Sequence, residues 1–363
     1  MSSDISNKNQ SRLDWLDIAK CIGIFFIVLG HICKYNYRED PLRLFCYSFN
    51  AQFFFFVAGI TFLGSKEISF EALNKRNSIT FCRNQIYRLI LPYFVWGAIS
   101  IVIYFFLGKF HLVNDDTSIL PNMIGLMIAD STNEYFQWNR PLWFIPCLFI
   151  LNYFWFLSCK VFTFLHKNKN QLNILVIGIC GISFSLSVLL IDFSETISLP
   201  WHIQSALFIC PLMGLGILLK KWFQTFNHKK NSIKLFVFIM LIIISISCGS
   251  LTVFTDFRQS VFNGYIRFYA VSLCLSIAVI ITGQIIKHNN IMQYIGKRTL
   301  PILLMHKFPV LFFQEICPGL NTLINRGNFC AEITCSVLTI MMCLGVSYFI
   351  EKYLPEIIGG KIN

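Results

Sequence analysis

Residues 12–31 read RLDWLDIAKCIGIFFIVLGH, a charged cluster followed by an apolar run that ends in a histidine. At about 100° per residue, an α-helix places Asp17, Lys20 and His31 within roughly 60° of one another on one face. At about 1.5 Å per residue, Lys20 and His31 lie about 16 Å apart along the axis. The apolar run predicts a membrane helix, in which such groups are costly and typical of functional sites.

The rest of the chain is equally apolar. Its 363 residues are 55% hydrophobic and 13% charged, with a mean hydropathy of +0.62. Soluble domains carry about 25% charged residues. We therefore expect an all-α fold, a polytopic membrane helix bundle with about ten transmembrane helices. The expected location is the cell (cytoplasmic or inner) membrane, and no room is left for a second, soluble domain.

Hydropathy predicts ten spans, each near the ~20 residues that a membrane helix needs. They cover residues 16–34, 43–63, 87–108, 141–163, 172–192, 200–219, 235–255, 265–286, 299–315 and 331–353. One transmembrane domain is thus expected over residues 16–354, with tails over residues 1–15 and 355–363. The apolar stretch 119–129 is too short to span and predicts an interfacial or re-entrant helix.

The distribution of positive charge orients the bundle. With the N-terminus inside, 21 of the 30 Lys and Arg residues fall on the inner side and 9 on the outer side. This bias follows the positive-inside rule and predicts that both termini are cytoplasmic. It also accounts for the net charge of +12 without a nucleic-acid partner. Lys20 then lies at the inner end of the first helix and His31 near the outer face.

Three later segments add polar groups. Asn50 and Gln52 lie near the outer end of the second span and can face a polar cavity, whereas the following phenylalanines and Gly59 are typical of helix packing. Arg83 and Arg88 enter the third span from inside; arginine binds phosphate as a planar fork, and the alternative is simple anchoring at the inner face. His306 lies in the outer half of the ninth span, where the alternative to catalysis is a hydrogen-bonded structural histidine.

Several catalytic signatures are absent from the sequence. It has no phosphate-binding Gly-Lys-Ser loop, no Gly-x-Ser-x-Gly elbow, no His-Glu-x-x-His and no cysteine zinc pattern. We therefore expect catalysis without a metal, with histidine as the best base. The fourteen cysteines are typical of small hydrophobic residues, although Cys317 and Cys330 flank one loop and can pair if it is extracytoplasmic.

Taken in order, these motifs resemble those of the acyltransferase-3 family of integral membrane proteins, in particular its fucose 4-O-acetylase-like sugar acetyltransferases. The family's opening acidic, basic and histidine residues correspond to Asp17, Lys20 and His31. Further matches are Phe55–Gly59, Arg88–Tyr93, Trp143–Leu148, Leu199–Trp201 and Gly296–His306. Two positions differ, because Ala58 replaces a serine and Gln85 replaces an arginine for which Arg83 can substitute.

The resemblance implies O-acylation, usually acetylation, of a carbohydrate hydroxyl. The donor would be acyl-CoA (acetyl-CoA) from the cytoplasm, with Lys20, Arg83 and Arg88 holding its phosphates. The acceptor would be a sugar of a cell-surface glycan or exopolysaccharide, or its lipid-linked precursor. His31 would act as general base or as covalent acyl carrier, and these alternatives stay open. The expected supporting residues are Asp17, Asn50, Trp143 and His306.

Asp17 is too far from His31 to orient it and is expected to pair with Lys20 or Arg12. Trp138, Trp201 and His202 are candidate sugar-binding residues, with an interfacial aromatic belt as the alternative. A transporter or exporter of polysaccharide or a small acid, without acyl transfer, is the main alternative function. A non-catalytic subunit of a glycan-assembly complex is the third.

Overall fold

The computed structural model of the protein describes residues 13–34, 39–62, 76–112, 118–131, 135–165, 172–194, 199–251, 254 and 264–360. Within those residues the chain forms helices and connections and no strand, which confirms the all-α prediction. Most of the expected N-terminal tail, including Arg12, lies outside the described residues.

The described residues form sixteen α-helices. They are α1 (Asp14–Ile32), α2 (Pro41–Tyr47), α3 (Asn50–Phe62), α4 (Ser78–Gln85), α5 (Leu91–Lys109), α6 (Ile119–Ile128), α7 (Phe144–Leu165), α8 (Leu172–Ser194), α9 (Ile203–Phe226), α10 (Asn231–Ser247), α11 (Tyr265–Ile286), α12 (Asn290–Lys297), α13 (Thr299–Met305), α14 (Lys307–Leu311), α15 (Pro318–Asn325) and α16 (Phe329–Tyr353). Two π-helical turns, Ile86–Ile90 and Phe312–Ile316, continue α4 into α5 and extend α14.

Eight helical segments in the described part of the chain are long and apolar enough to cross a membrane. They correspond to eight of the ten expected spans: Asp14–Ile32, Pro41–Phe62, Ser78–Lys109, Arg140–Phe162, Asn173–Leu190, Pro200–Phe226, Tyr265–Ile286 and Phe329–Tyr353. The expected span 235–255 is represented by α10, which has 17 residues. The stretch 119–129 forms the ten-residue helix α6, too short to span, as its length predicted.

The expected span 299–315 has helical backbone angles at His306 (φ −58°, ψ −25°) but not unbroken α-helical hydrogen bonding. It divides into α13, α14 and a π-helical turn, with His306 at the first junction. Pro309 explains the break, because proline has no N–H to donate to the carbonyl of Met305 and its ring crowds that carbonyl. The interruption sets His306 between two short helices, buried in the bundle.

The first helix, α1, is surrounded by α2, α3, α11, α12 and α16. The helices closest to α1 contact its backbone at glycine residues. A Cβ on Gly296 would lie 1.8 Å from the carbonyl oxygen of Asp17, and a Cβ on Gly283 would lie 2.3 Å from that of Trp15. Both glycines thus bring α12 and α11 against the backbone of α1 near Lys20, which fixes the helix in the middle of the bundle.

A second glycine contact joins α3 to α9. A Cβ on Gly59 would lie 2.0 Å from the carbonyl oxygen of Met213, and one on Gly216 would lie 2.2 Å from that of Phe56. Phe53, Phe55 and Phe56 are fully buried around it. The interpretation of Gly59 and the phenylalanines as packing residues is therefore confirmed, and this core supports the helices that carry the polar groups.

Candidate active site

His31 is the penultimate residue of α1, and its position is fixed through the backbone. The Nε2 amide of Gln314 donates hydrogen bonds to the carbonyl oxygens of His31, at 2.8 Å, and of Ile32, at 2.9 Å. Gln314 belongs to the π-helical turn Phe312–Ile316 and is buried. The last carbonyls of a helix lack intrahelical partners. The Gln314 amide therefore satisfies two of them and holds His31 against the π-helical turn Phe312–Ile316.

The side chain of His31 meets α2. Its Nδ1 lies 3.3 Å from the hydroxyl of Tyr47. The Nη2 of Arg43 donates to that hydroxyl at 3.0 Å, and the guanidinium carbon lies 4.6 Å from the centre of the tyrosine ring. Another Arg43 nitrogen donates to the carbonyl oxygen of Cys33. A buried cation, a phenol and an imidazole thus form one connected group.

Tyr47 and Arg43 were not singled out from the sequence. The sequence reading treated 43–63 as one apolar span, whereas α2 begins at Pro41, with the Asp40 side chain accepting from the Leu42 amide at 2.9 Å. The useful signal was the i, i+4 spacing of Arg43 and Tyr47, which puts the two side chains on one helix face. The hydrogen bond from Arg43 orients the Tyr47 hydroxyl toward α1.

His306 lies beside His31. The two ring centres are 5.2 Å apart, with the planes tilted by 36°. The Nδ1 of His306 lies 2.9 Å from the carbonyl oxygen of Leu303 and 3.2 Å from that of Ile302. Because a carbonyl only accepts, these contacts assign the proton to Nδ1 and leave Nε2 unprotonated in the neutral ring. That Nε2 is buried and has no hydrogen-bond partner among the residues the structure describes.

The opposite part of α1 carries an ion pair. Nζ of Lys20 lies 2.7 Å from Oδ1 of Asp17, whose side chain is 1% exposed. The predicted pairing of Asp17 with Lys20 is therefore observed. Eleven residues of helix separate Lys20 from His31, about 16 Å along the axis. One helix thus carries a cation at one end and an imidazole at the other.

The two arginines of the third span lie near the α4–α5 junction. Arg83 lies in the last turn of α4 and Arg88 in the π-helical turn Ile86–Ile90; both side chains are exposed. A Cβ on Gly359 would lie 2.6 Å from the carbonyl oxygen of Arg88 and 2.7 Å from Leu300. Leu300 follows Gly296, which touches Asp17, across the junction of α12 and α13 at Arg298. The segment 296–300 therefore connects the Arg88 turn to the Asp17–Lys20 turn.

Among the expected supporting residues, Asn50 is the first residue of α3 and is buried. Its Oδ1 accepts a hydrogen bond from the Ala51 amide at 2.6 Å. Gln52 is also buried, and its Nε2 donates to the carbonyl oxygen of Tyr47 at 3.1 Å. These contacts join the start of α3 to the end of α2, next to the tyrosine that touches His31.

The aromatic candidates form a second group. The rings of Trp143 and His202 are 5.4 Å apart, and Nε2 of His202 lies 3.4 Å from the hydroxyl of Ser131. Trp201 and His202 have φ angles of 59° and 53°, a left-handed backbone that residues other than glycine rarely adopt. Two such residues in succession store strain, which is typical of ligand-binding and active sites.

Trp138 is placed differently from Trp201. Its side chain is 2% exposed and stacks on Tyr104, with ring centres 5.8 Å apart and planes 9° from parallel. The next residue, Asn139, was missed from the sequence. Its Nδ2 donates to the hydroxyl of Ser100 at 3.1 Å and to the carbonyl oxygen of Leu304 at 3.2 Å. Asn139 thus ties the Trp143 segment to the turn that carries His306.

Of three comparisons with known proteins, one gives a match. A search of curated proteins and a search of solved structures each found no match. One family model, described as an acyltransferase domain of the acyltransferase-3 type, matches residues 13–350. The match includes α1 with its histidine, both arginines and the turn at His306. Since it covers nearly the whole chain, the protein belongs to the acyltransferase-3 family of multi-pass membrane acyltransferases.

Proposed function

We propose that the protein is an O-acetyltransferase of the cell (cytoplasmic) membrane that acylates a sugar. It moves an acetyl or other short acyl group from cytoplasmic acyl-CoA to a hydroxyl of a cell-surface glycan, an exopolysaccharide or a lipid-linked precursor. The observation that carries the proposal is the group of His31, Tyr47 and His306 at one end of α1, with Lys20 about 16 Å away at the other.

The donor end binds coenzyme A through its phosphates. Lys20, Arg83 and Arg88 supply positive charge, and both arginine side chains are exposed at the surface, where a phosphate can reach them. Arg88 lies in a π-helical turn, a distortion that is frequent at functional sites. Asp17 fixes Lys20 by their ion pair, so the ammonium group is held in one place before the coenzyme arrives.

The chemistry takes place at His31. As general base, its Nδ1–H donates to the Tyr47 hydroxyl, and its Nε2 accepts the proton of the sugar hydroxyl. The alkoxide oxygen attacks the thioester carbonyl, the carbon–sulfur bond breaks, and the imidazolium returns the proton to the coenzyme A thiolate. Such base catalysis contributes about 10²–10⁴-fold.

The covalent route uses the same residues. In that case Nε2 of His31 attacks the thioester carbonyl, the carbon–sulfur bond breaks, and the acyl-imidazolium gives its Nδ1 proton to the coenzyme A thiolate. The sugar hydroxyl then attacks the acyl-imidazole, the acyl–nitrogen bond breaks, and the hydroxyl proton returns to the imidazole. His306 supports either route, because its unprotonated Nε2 provides a lone pair beside the His31 ring where positive charge develops. The reaction as written uses no metal.

The acceptor is held by the aromatic group. Trp143, Trp201 and His202 offer apolar ring faces beside polar atoms, which suits the mixed surface of a sugar. Asn139 links this group to the His306 turn, so a sugar bound there lies toward the two histidines. Trp138 remains a candidate of the same group; its buried ring would act through Tyr104.

The experiment is mass spectrometry of surface glycan from cells that carry the wild-type or a variant chain. We expect the wild type to add about 42 Da per acetyl group and His31→Ala to add none, with the protein level unchanged. His228→Ala is the matched control, because His228 is exposed in the turn after α9. Normal acetylation by His31→Ala would reject the catalytic role. A chain that moves glycan without adding any ester would instead support the transporter alternative.

A further inference from the structure

Three side chains that can bind a metal meet beyond the end of α1. Single ligand atoms of Cys33, Asp40 and Glu332 all lie within 4.8 Å of one another. Cys33 directly follows α1, Asp40 caps α2, and Glu332 lies in the first turn of α16. Cys33 and Asp40 lie close together in sequence, but Glu332 is far from both, which explains why no metal-ligand spacing was visible there.

Glu332 is the observation that points to a ligand. Its side chain is 2% exposed, yet its Oε1 has no hydrogen-bond partner among the described residues. The carboxyl group has a hydrogen bond with the Cys33 side chain, but that bond supplies no positive charge, and buried charges are as a rule paired or bound to a metal. A carboxylate oxygen of Glu332 lies within 4.8 Å of the fully buried Cys33 sulfur, so the carboxylate is directed into the group.

We propose that Cys33, Asp40 and Glu332 bind one zinc ion that has a structural role. A thiolate with two carboxylates selects zinc over magnesium or calcium, which take oxygen ligands alone. Ligand atoms around tetrahedral zinc lie about 3.5 Å apart, so the group needs to close by about 1 Å. The Leu42 amide donates to Oδ1 of Asp40, so Oδ2 is the oxygen that would bind the ion.

The charges of the site agree with a divalent ion. The three ligands carry three negative charges when ionised, and Arg43, which donates to the carbonyl oxygen of Cys33, supplies one positive charge. A divalent ion makes the group neutral, which a buried site requires. The ion would tie α1, α2 and α16 together, and thereby hold α2, which carries Tyr47, against the end of α1, which carries His31. This inference does not depend on the nature of the transferred group.

The test is zinc binding by the purified full-length chain in detergent. The protein is stripped with a chelator and titrated with zinc chloride against a competing zinc indicator. We expect one zinc per chain. Loss of an outer-shell partner weakens metal binding about 10–100-fold. Cys33→Ser and Glu332→Gln each remove a direct ligand, so each should weaken zinc binding by more than that. Cys46→Ser and Glu315→Gln are matched controls: Cys46 is the neighbouring buried thiol, and Glu315 pairs with Lys34.

A second measurement covers variants that fold poorly. Zinc should raise the Tm of the wild type, and the increase should be absent in Asp40→Asn and Glu332→Gln. Cobalt, used in place of zinc, should give the absorption of a thiolate complex in the wild type and not in Cys33→Ser. A wild-type chain that binds no zinc at micromolar concentration overturns the proposal, because Glu332 is then a neutral buried acid. Wild-type affinity in Glu332→Gln overturns it as well.

Discussion

The hydroxyl of Tyr47 lies 3.3 Å from Nδ1 of His31, and the hydroxyl is itself held by Arg43 at 3.0 Å. A histidine that acts through Nε2 needs its Nδ1 bound to a fixed partner, since that bond sets both the tautomer and the ring orientation. In many enzymes a carboxylate has this part. In this protein Tyr47 is the partner of Nδ1, and its hydroxyl is oriented by the buried Arg43, one helical turn earlier.

Tyr47→Phe tests this relationship. The substitution removes one oxygen atom and leaves the ring that stacks on Phe254. We expect kcat for acyl transfer to fall about 10–100-fold, less than the loss of the base itself, with the KM for acyl-CoA unchanged. Because Tyr47 acts through His31, the pH profile of kcat should also shift. Tyr348→Phe, on the exposed face of α16, is the control, and an unchanged pH profile in Tyr47→Phe would argue against a positioning role.

Arg88→Gln tests the donor end. Removing one cation that faces the phosphates should raise the KM for acyl-CoA about tenfold while kcat stays close to that of the wild type, because the contact is the same in ground state and transition state. Initial rates at varied acyl-CoA measure this. Arg326→Gln, an arginine outside the proposed donor end, should leave the KM unchanged. If Arg88→Gln behaves like that control, the phosphate contact is rejected.

Trp201→Ala tests the acceptor group. The Trp201 ring lies 6.2 Å from that of Phe149. The backbones of Trp201 and His202 are both strained. We expect the KM for the sugar acceptor to rise by about tenfold, since stacking contacts of one aromatic ring contribute roughly 1 kcal/mol. The KM for acyl-CoA should not change. Trp222→Ala, at an exposed position on α9, is the matched control; equal effects in the two variants would mean that Trp201 has no special role.

Gly296→Ala tests the packing that positions α1. The added methyl group would lie 1.8 Å from the carbonyl oxygen of Asp17, so the helices must separate. Overpacking of this kind costs about 1–3 kcal/mol, and we expect a lower Tm in detergent. Gly181→Ala is the control, because its Cβ would have no neighbour within 4 Å. A Tm for Gly296→Ala equal to that of the control would contradict the close approach of α12 to α1.

The membrane fold was predictable because long apolar runs decide it. Helix α1, the packing role of Gly59 and the ion pair of Asp17 with Lys20 all followed from composition and from a 3.6-residue period. The breaks inside spans were harder to predict. The division at His306 depends on Pro309, and neither it nor the division at Ser48–Phe49 is registered by average hydropathy.

The site was predictable in part. The sequence placed His31 and His306 in the same half of the membrane, but not with their rings 5.2 Å apart, because that contact needs the turn created ahead of Pro309. Gln314 and Asn139 were invisible for a similar reason. Both bind backbone carbonyls of residues far away in the sequence, and a single amide side chain gives no periodic signal.

The central claim is that His31 carries the acyl-transfer chemistry. The most direct measurement uses purified protein in lipid vesicles with acyl-CoA labelled in the acyl group and a glycan acceptor, and follows the label in the glycan. Our account predicts transfer by the wild type and by His228→Ala, and a loss of at least about 10²-fold in His31→Ala at equal protein level. Transfer by His31→Ala at the wild-type rate would contradict it.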